Sequence, residues 1–85
     1  MLSTAEIKER IVEQITETLE DVGVVIPGLS GSEQLSDLGV SSMVYARLVL
    51  KLEAEFGVEV FSGGGQPPQV RTVDELVDSF ARAIV

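Results

Sequence analysis

Eighty-five residues make one small domain, which buries only about 60 to 65% of its unfolded surface and therefore needs a simple core. The absence of cysteine and histidine excludes disulfides, thiolate metal sites, a cysteine nucleophile and a Ser-His-Asp relay. Fourteen acids against six bases, a net charge of −8, argue against nucleic acid or an anionic membrane surface as partner, while 45% apolar residues are enough for independent folding.

The N-terminal run MLSTAEIKERIVEQ is charged every few residues. It holds neither the apolar core of a signal peptide nor a membrane span, so a soluble, cytoplasmic protein is expected. From Ser3 or Thr4 to about Glu20, the residues Ile7, Ile11, Ile15 and Leu19 recur every four positions with Val12 beside them, as in an amphipathic helix. Ser3 and Glu6 are spaced as a capping box. Six acids and two bases between residues 3 and 21 place half of the net charge on this helix, most simply as a solvated outer face. Residues 21 to 41 carry Gly23, Pro27, Gly28, Gly31 and Gly39 among short apolar groups. This predicts a long loop pinned by residues 24 to 26, Leu29, Leu35 and Leu38. An extended piece at residues 22 to 26 is also open, although no pairing strand is in view.

Asp37 to Phe56, reading DLGVSSMVYARLVLKLEAEF, is the stretch around which the chain is organised. A tight Asp-Leu-Gly turn meets two serines, and an amphipathic segment free of Gly and Pro starts there. At roughly 100° per residue, Tyr45, Leu48, Val49, Leu52 and Phe56 share the face that a core contact needs. Met43, Leu50 and Ala54 lie opposite, with Arg47 and Lys51 alongside. Ser42 falls in the first turn, where unpaired N–H groups and the positive end of the helix dipole favour an attached or bound anion. A phosphate on the Ser42 hydroxyl would be well placed.

Gly57 suits a helix C-cap, and residues 58 to 60 read as a short extended piece. In SGGGQPPQ, residues 62 to 69, three glycines and two prolines predict no regular helix and the most mobile internal segment. Thr72 and Glu75 form a second capping box, opening a helix whose buried stripe is Val73, Leu76, Val77, Phe80 and Ile84. Three stripes of this kind bury one another in a small all-α bundle, with Phe56 and Phe80 as central plugs.

The run Asp37, Leu38, Gly39, Val40, Ser41, Ser42, Met43 resembles the Asp-Leu-Gly-x-Asp-Ser-Leu motif of the acyl and peptidyl carrier proteins. The similarity continues through Leu48 and Leu52 to Glu55-Phe56-Gly57. The order of helix, long loop, helix, loop, helix matches over nearly the full length, so residues 1–85 are expected to form a single carrier domain. The resemblance implies a free-standing, non-catalytic carrier. A phosphopantetheinyl transferase would move phosphopantetheine from coenzyme A to Ser42, and the arm would hold an acyl or aminoacyl group as a thioester. Further implied partners are a loading enzyme of adenylation or acyltransferase type and downstream synthase, condensation or tailoring enzymes, met by a monomer. Tethering raises the effective concentration of an intermediate at each enzyme and requires no catalytic residue in the carrier. Two departures stand out. Ser41 replaces the acid usual before the modified serine, keeping a capping hydroxyl but no charge. The family's short third helix would fall at residues 60 to 70, where a loop or a single irregular turn is expected.

Ser41 as the attachment point is the competing assignment, and the alignment through Leu38-Gly39 and Phe56-Gly57 favours Ser42. A small helical adaptor or oligomerisation module, with Met43, Val44 and Leu50 as binding surface and the serines only as caps, is the rival from another class. A minimal enzyme using Asp37, Glu53 or Glu55 would need perturbed carboxylates, whereas solvated ones are the ordinary reading. Among carriers, fatty-acid types show a strongly acidic helix after the serine, but residues 42 to 56 sum to zero through Arg47, Lys51, Glu53 and Glu55. This points to a polyketide or nonribosomal peptide type of pathway, as in antibiotic biosynthesis, with fatty-acid synthesis as the alternative. Since Tyr45, Leu48, Leu52 and Phe56 are needed inside, the partner surface is expected at Met43, Val44, Arg47, Leu50 and Lys51. The competing expectation is that the long loop covers Met43 and Leu50.

Overall fold

In the computed structural model, which describes residues 2–26, 28–60 and 70–84, three helices pack around one apolar core. They are α1 (Thr4–Asp21), α2 (Ser42–Phe56) and α3 (Val73–Ile84), and a short 3-10 turn at Leu35–Leu38 interrupts the long loop. Helix α1 starts at its capping box: the Ser3 hydroxyl accepts the Glu6 N–H at 3.2 Å, and the Glu6 carboxylate accepts the Ser3 N–H at 3.2 Å. Thr72 and Glu75 repeat the arrangement before α3, each accepting the other's N–H at 3.1 Å. Gly57 ends α2 in the left-handed region at φ 68°, where a residue with a Cβ would be strained.

Helix α1 is the element on which both others pack. Its Ile7, Ile11, Ile15 and Leu19 are buried against Leu48 and Leu52 of α2 and Val73, Leu76, Val77 and Phe80 of α3, all in one cluster. A four-residue repeat on α1 and the stripe of α3 are thus the two halves of the expected core. Phe56 departs from expectation. It lies only half-buried beside the fully buried Phe80, ring centroids 5.8 Å apart and planes tilted by 47°, so Phe80 alone is a central plug.

The loop from residue 22 to 41 crosses the bundle as expected, with Leu35 buried and Val24, Ile26, Leu29 and Leu38 packed on the core, but Val25, within the stretch expected to pin it, stands exposed. Among the described residues there is no strand at 22–26, and β-pairing is limited to one isolated antiparallel bridge between Gln34 and Thr72. What pins the loop is polar as well as apolar. Leu35 N–H donates to Arg71 C=O at 2.8 Å, Val73 N–H to Glu33 C=O at 3.2 Å, and Asp74 N–H to Gly31 C=O at 2.8 Å. The last two are the first N–H groups of α3, which no intrahelical carbonyl could have satisfied. The expectations for the short third helix and for segment 62–69 fall mostly on residues 61–69, outside the described residues.

Candidate functional site

The Asp-Leu-Gly stretch is more than a tight turn. Asp37 and Leu38 complete the 3-10 turn, and Gly39 closes it at φ 95°, its N–H donating to Ser36 C=O at 3.2 Å. Val40 N–H then donates to Leu35 C=O at 3.1 Å, which aims the backbone at the start of α2. Ser41 is the N-cap, with extended backbone at φ −78°, ψ 171°. Its hydroxyl accepts the Val44 N–H at 3.3 Å and its carbonyl the Tyr45 N–H at 2.8 Å. The protein therefore uses the neutral Ser41 to cap α2, and the helix has no acid in its first turn.

Ser42 is the first helical residue and is exposed. Once Ser41 has satisfied Val44 and Tyr45, no described residue accepts from the N–H of Ser42 or Met43. The positive end of the α2 dipole is thus undiluted at a solvent-facing hydroxyl. A phosphodiester on the Ser42 oxygen fits this arrangement, because its charge meets the open N–H groups and the position is open to solvent.

The face beside Ser42 is sorted by the core. Leu48, Val49 and Leu52 are buried, Tyr45 is half-buried, and burial pushes its phenol up to about 12, so it stays neutral in any ordinary buffer. Met43 and Leu50 are 79% and 63% exposed, so the long loop does not cover them. Arg47 is exposed. Val44 differs from expectation, being half-buried and packed on the core. Lys51 also differs, with its ammonium 3.7 Å from the Asp21 carboxylate at the end of α1. Asp37 is exposed, as is Glu55, whose carboxylate accepts from the Gln14 amide at 3.3 Å.

Glu53 corrects the reading of the α2 acids as solvated. It is only 8% exposed, and its carboxylate accepts the Val60 N–H at 2.7 Å, tying the segment after Gly57 back to α2. Its position about 40° past Val49 on the helical wheel was the available signal. Glu33 was missed altogether. Its carboxylate accepts from Ser30 N–H at 2.8 Å, Gly31 N–H at 2.7 Å and the Ser30 hydroxyl at 3.1 Å. The Ser30 and Gly31 backbone bonds, with that of its own N–H, hold the carboxyl down at about 2. A Ser-x-x-Glu spacing at residues 30 to 33 was visible, but no helix follows it directly to mark it as a cap.

Among the described residues no helix is long and apolar enough to cross a membrane, and no group of acids is spaced to hold a metal ion. Comparison with curated proteins and with solved structures gives no match. The family described as "phosphopantetheine attachment site" does match, over residues 9–63, which takes in most of α1, the long loop, the Ser42 turn and all of α2. A helical bundle, an exposed serine at a helix start and this match over more than half of the sequence lead to one conclusion: the chain belongs to the phosphopantetheine-attachment family of carrier proteins.

Proposed function

We propose that Ser42 carries the phosphopantetheine arm and that residues 1–85 act as one non-catalytic carrier domain in a specialised pathway of polyketide or nonribosomal peptide type. The observation that carries the assignment is the exposed hydroxyl of Ser42 at the first position of α2, beside N–H groups left open by the Ser41 cap. Ser41 is itself engaged as the cap, so its oxygen is the poorer acceptor for a group from coenzyme A. When bound, the arm supplies a terminal thiol that holds an acyl or aminoacyl cargo as a thioester. The protein's own part is to present one hydroxyl to a phosphopantetheinyl transferase, to stabilise the phosphate's charge, and to offer a surface to loading and downstream enzymes. The neutral charge sum of α2 favours a specialised cargo over fatty-acid synthesis.

Intact mass after incubation with coenzyme A and a broad-range transferase tests this directly. The wild-type protein should gain one phosphopantetheine. Ser42→Ala should gain none while keeping its helical circular dichroism, and a Ser42→Ala protein that is still modified would sink the assignment. Ser41→Ala should still be modified, more slowly, because α2 loses a cap worth about 0.5 to 2 kcal/mol.

A further inference from the structure

The turn that delivers Ser42 is suspended from Arg71, just ahead of α3 and beyond the stretch that matches the family. Leu35 is the suspension point: its side group is buried, its N–H donates to Arg71 C=O at 2.8 Å, and its C=O receives the N–H of Val40 at 3.1 Å. Val40 precedes the Ser41 cap. Where Leu35 sits therefore decides where α2 begins. Immediately upstream, Glu33 holds the loop to α3 in two ways. Its backbone carbonyl receives the Val73 N–H, and its carboxylate gathers Ser30 and Gly31 so that Gly31 C=O can receive the Asp74 N–H. Gly31 takes φ 125° with its Cα against the Asp74 carboxylate, a conformation and a proximity that a Cβ would not allow. From the other side Lys8 of α1 reaches the same place, donating to Ser30 C=O at 2.6 Å and pairing with Asp74 at 3.2 Å.

We infer that Glu33 is a positioning residue for the modification of Ser42, holding the loop on α3 so that the turn before α2 stays in its binding-competent arrangement; this rests on the assignment of Ser42 as the attachment site. The Glu33 carboxylate bonds to Ser30 and Gly31 of the loop, and that separates its side chain from the apolar residues of the core cluster that keep the bundle folded. A turn that is competent only part of the time binds a transferase with an affinity reduced by that fraction, so the effect falls on KM for the carrier, while kcat, set in the bound complex, is retained.

The experiment compares wild type, Glu33→Gln and Ile15→Val, all well below their unfolding temperatures, in transferase kinetics and amide hydrogen exchange. A carboxamide keeps the shape of the carboxylate, but its nitrogen cannot accept, so the joint hold on Ser30 and Gly31 is lost. For Glu33→Gln, KM should rise about three- to tenfold with kcat unchanged, less than the roughly hundredfold that a 1 Å misplacement can cause. Exchange at Gly39 and Val40 should quicken with it, and exchange at Ile11 and Leu52 should not. Ile15→Val weakens the core without touching the loop and should change neither KM nor the exchange of Gly39 and Val40. Unchanged KM and unchanged exchange in Glu33→Gln would overturn the inference, as would an equal KM rise in Ile15→Val. Should Glu33→Gln fail to fold, Lys8→Gln, which removes the clamp from the α1 side, is read in the same way. A wild-type protein that takes up no arm at Ser42 would overturn the attachment assignment, and the exchange of Gly39 and Val40 would then decide by itself whether Glu33 holds the turn.

Discussion

A carboxylate that accepts two backbone N–H groups and a hydroxyl is stabilised in its charged form, and Glu33 shows this as a carboxyl held at about 2 against an ordinary 4.5. A folded-state value below the unfolded one means that the group's stabilisation is complete above about pH 4.5 and is lost as pH falls from there towards 2. The unfolding temperature of the wild-type protein should therefore drop through this window more steeply than that of Glu33→Gln, and the two curves should converge near pH 2. Parallel curves from pH 7 to 2 would mean that the bonds to Ser30 and Gly31 do not favour the ionised form. Ser41 illustrates the same economy at a different atom. One neutral hydroxyl satisfies the Val44 N–H and leaves the adjacent helix terminus open to an anion on Ser42.

At the scale of an element, α2 divides its residues between core and solvent, and the proposed partner surface is what the core leaves over. Met43, Leu50 and Arg47 stand out from it, whereas Val44 is partly committed to packing. Lys51 is also engaged within the molecule, because its ion pair with Asp21 opposes an unfavourable acid at the C-terminal end of α1. Arg47→Glu should slow loading by a cognate enzyme and alter its salt dependence, with phosphopantetheinylation and thermal unfolding unchanged. Lys51→Glu should do the same and also lower stability by up to about 1 kcal/mol, as befits a pair in which both partners are partly solvated. Unchanged loading in both variants across a range of salt would place the partner surface elsewhere.

For the whole molecule, the arrangement is asymmetric: α1 is sandwiched by contacts to α2 and α3, which meet each other through Phe56 and Phe80. Phe80 is fully enclosed and Phe56 is not. Phe80→Ala should cost about 3 to 5 kcal/mol, a large share of what so small a domain has. Phe56→Ala should cost clearly less, since water can occupy part of the space that the ring vacates. Urea unfolding of the two variants checks the ranking, and equal losses would show that the two rings form one inseparable plug.

The helices, their caps and their buried stripes were legible in the sequence, because period, capping box and terminal glycine are local features that hold whatever the helix packs against. Ile7 to Leu19, Ser3 with Glu6, Thr72 with Glu75, Gly57 and the run from Asp37 to Ser42 are all of this kind, and the last carried the family. The tertiary structure decided what depends on residues distant in sequence. Glu53 is buried because Val60 turns back to it, and Lys51 is engaged because α1 ends beside it. Phe56 is half-exposed because α1, not the two rings, forms the centre of the bundle. Above all, the turn before Ser42 hangs from Arg71 through Leu35, and the loop just ahead of it from Val73 and Asp74. A hydrogen bond between residues more than thirty positions apart leaves no periodicity behind, so only the folded molecule reveals what holds the serine in place.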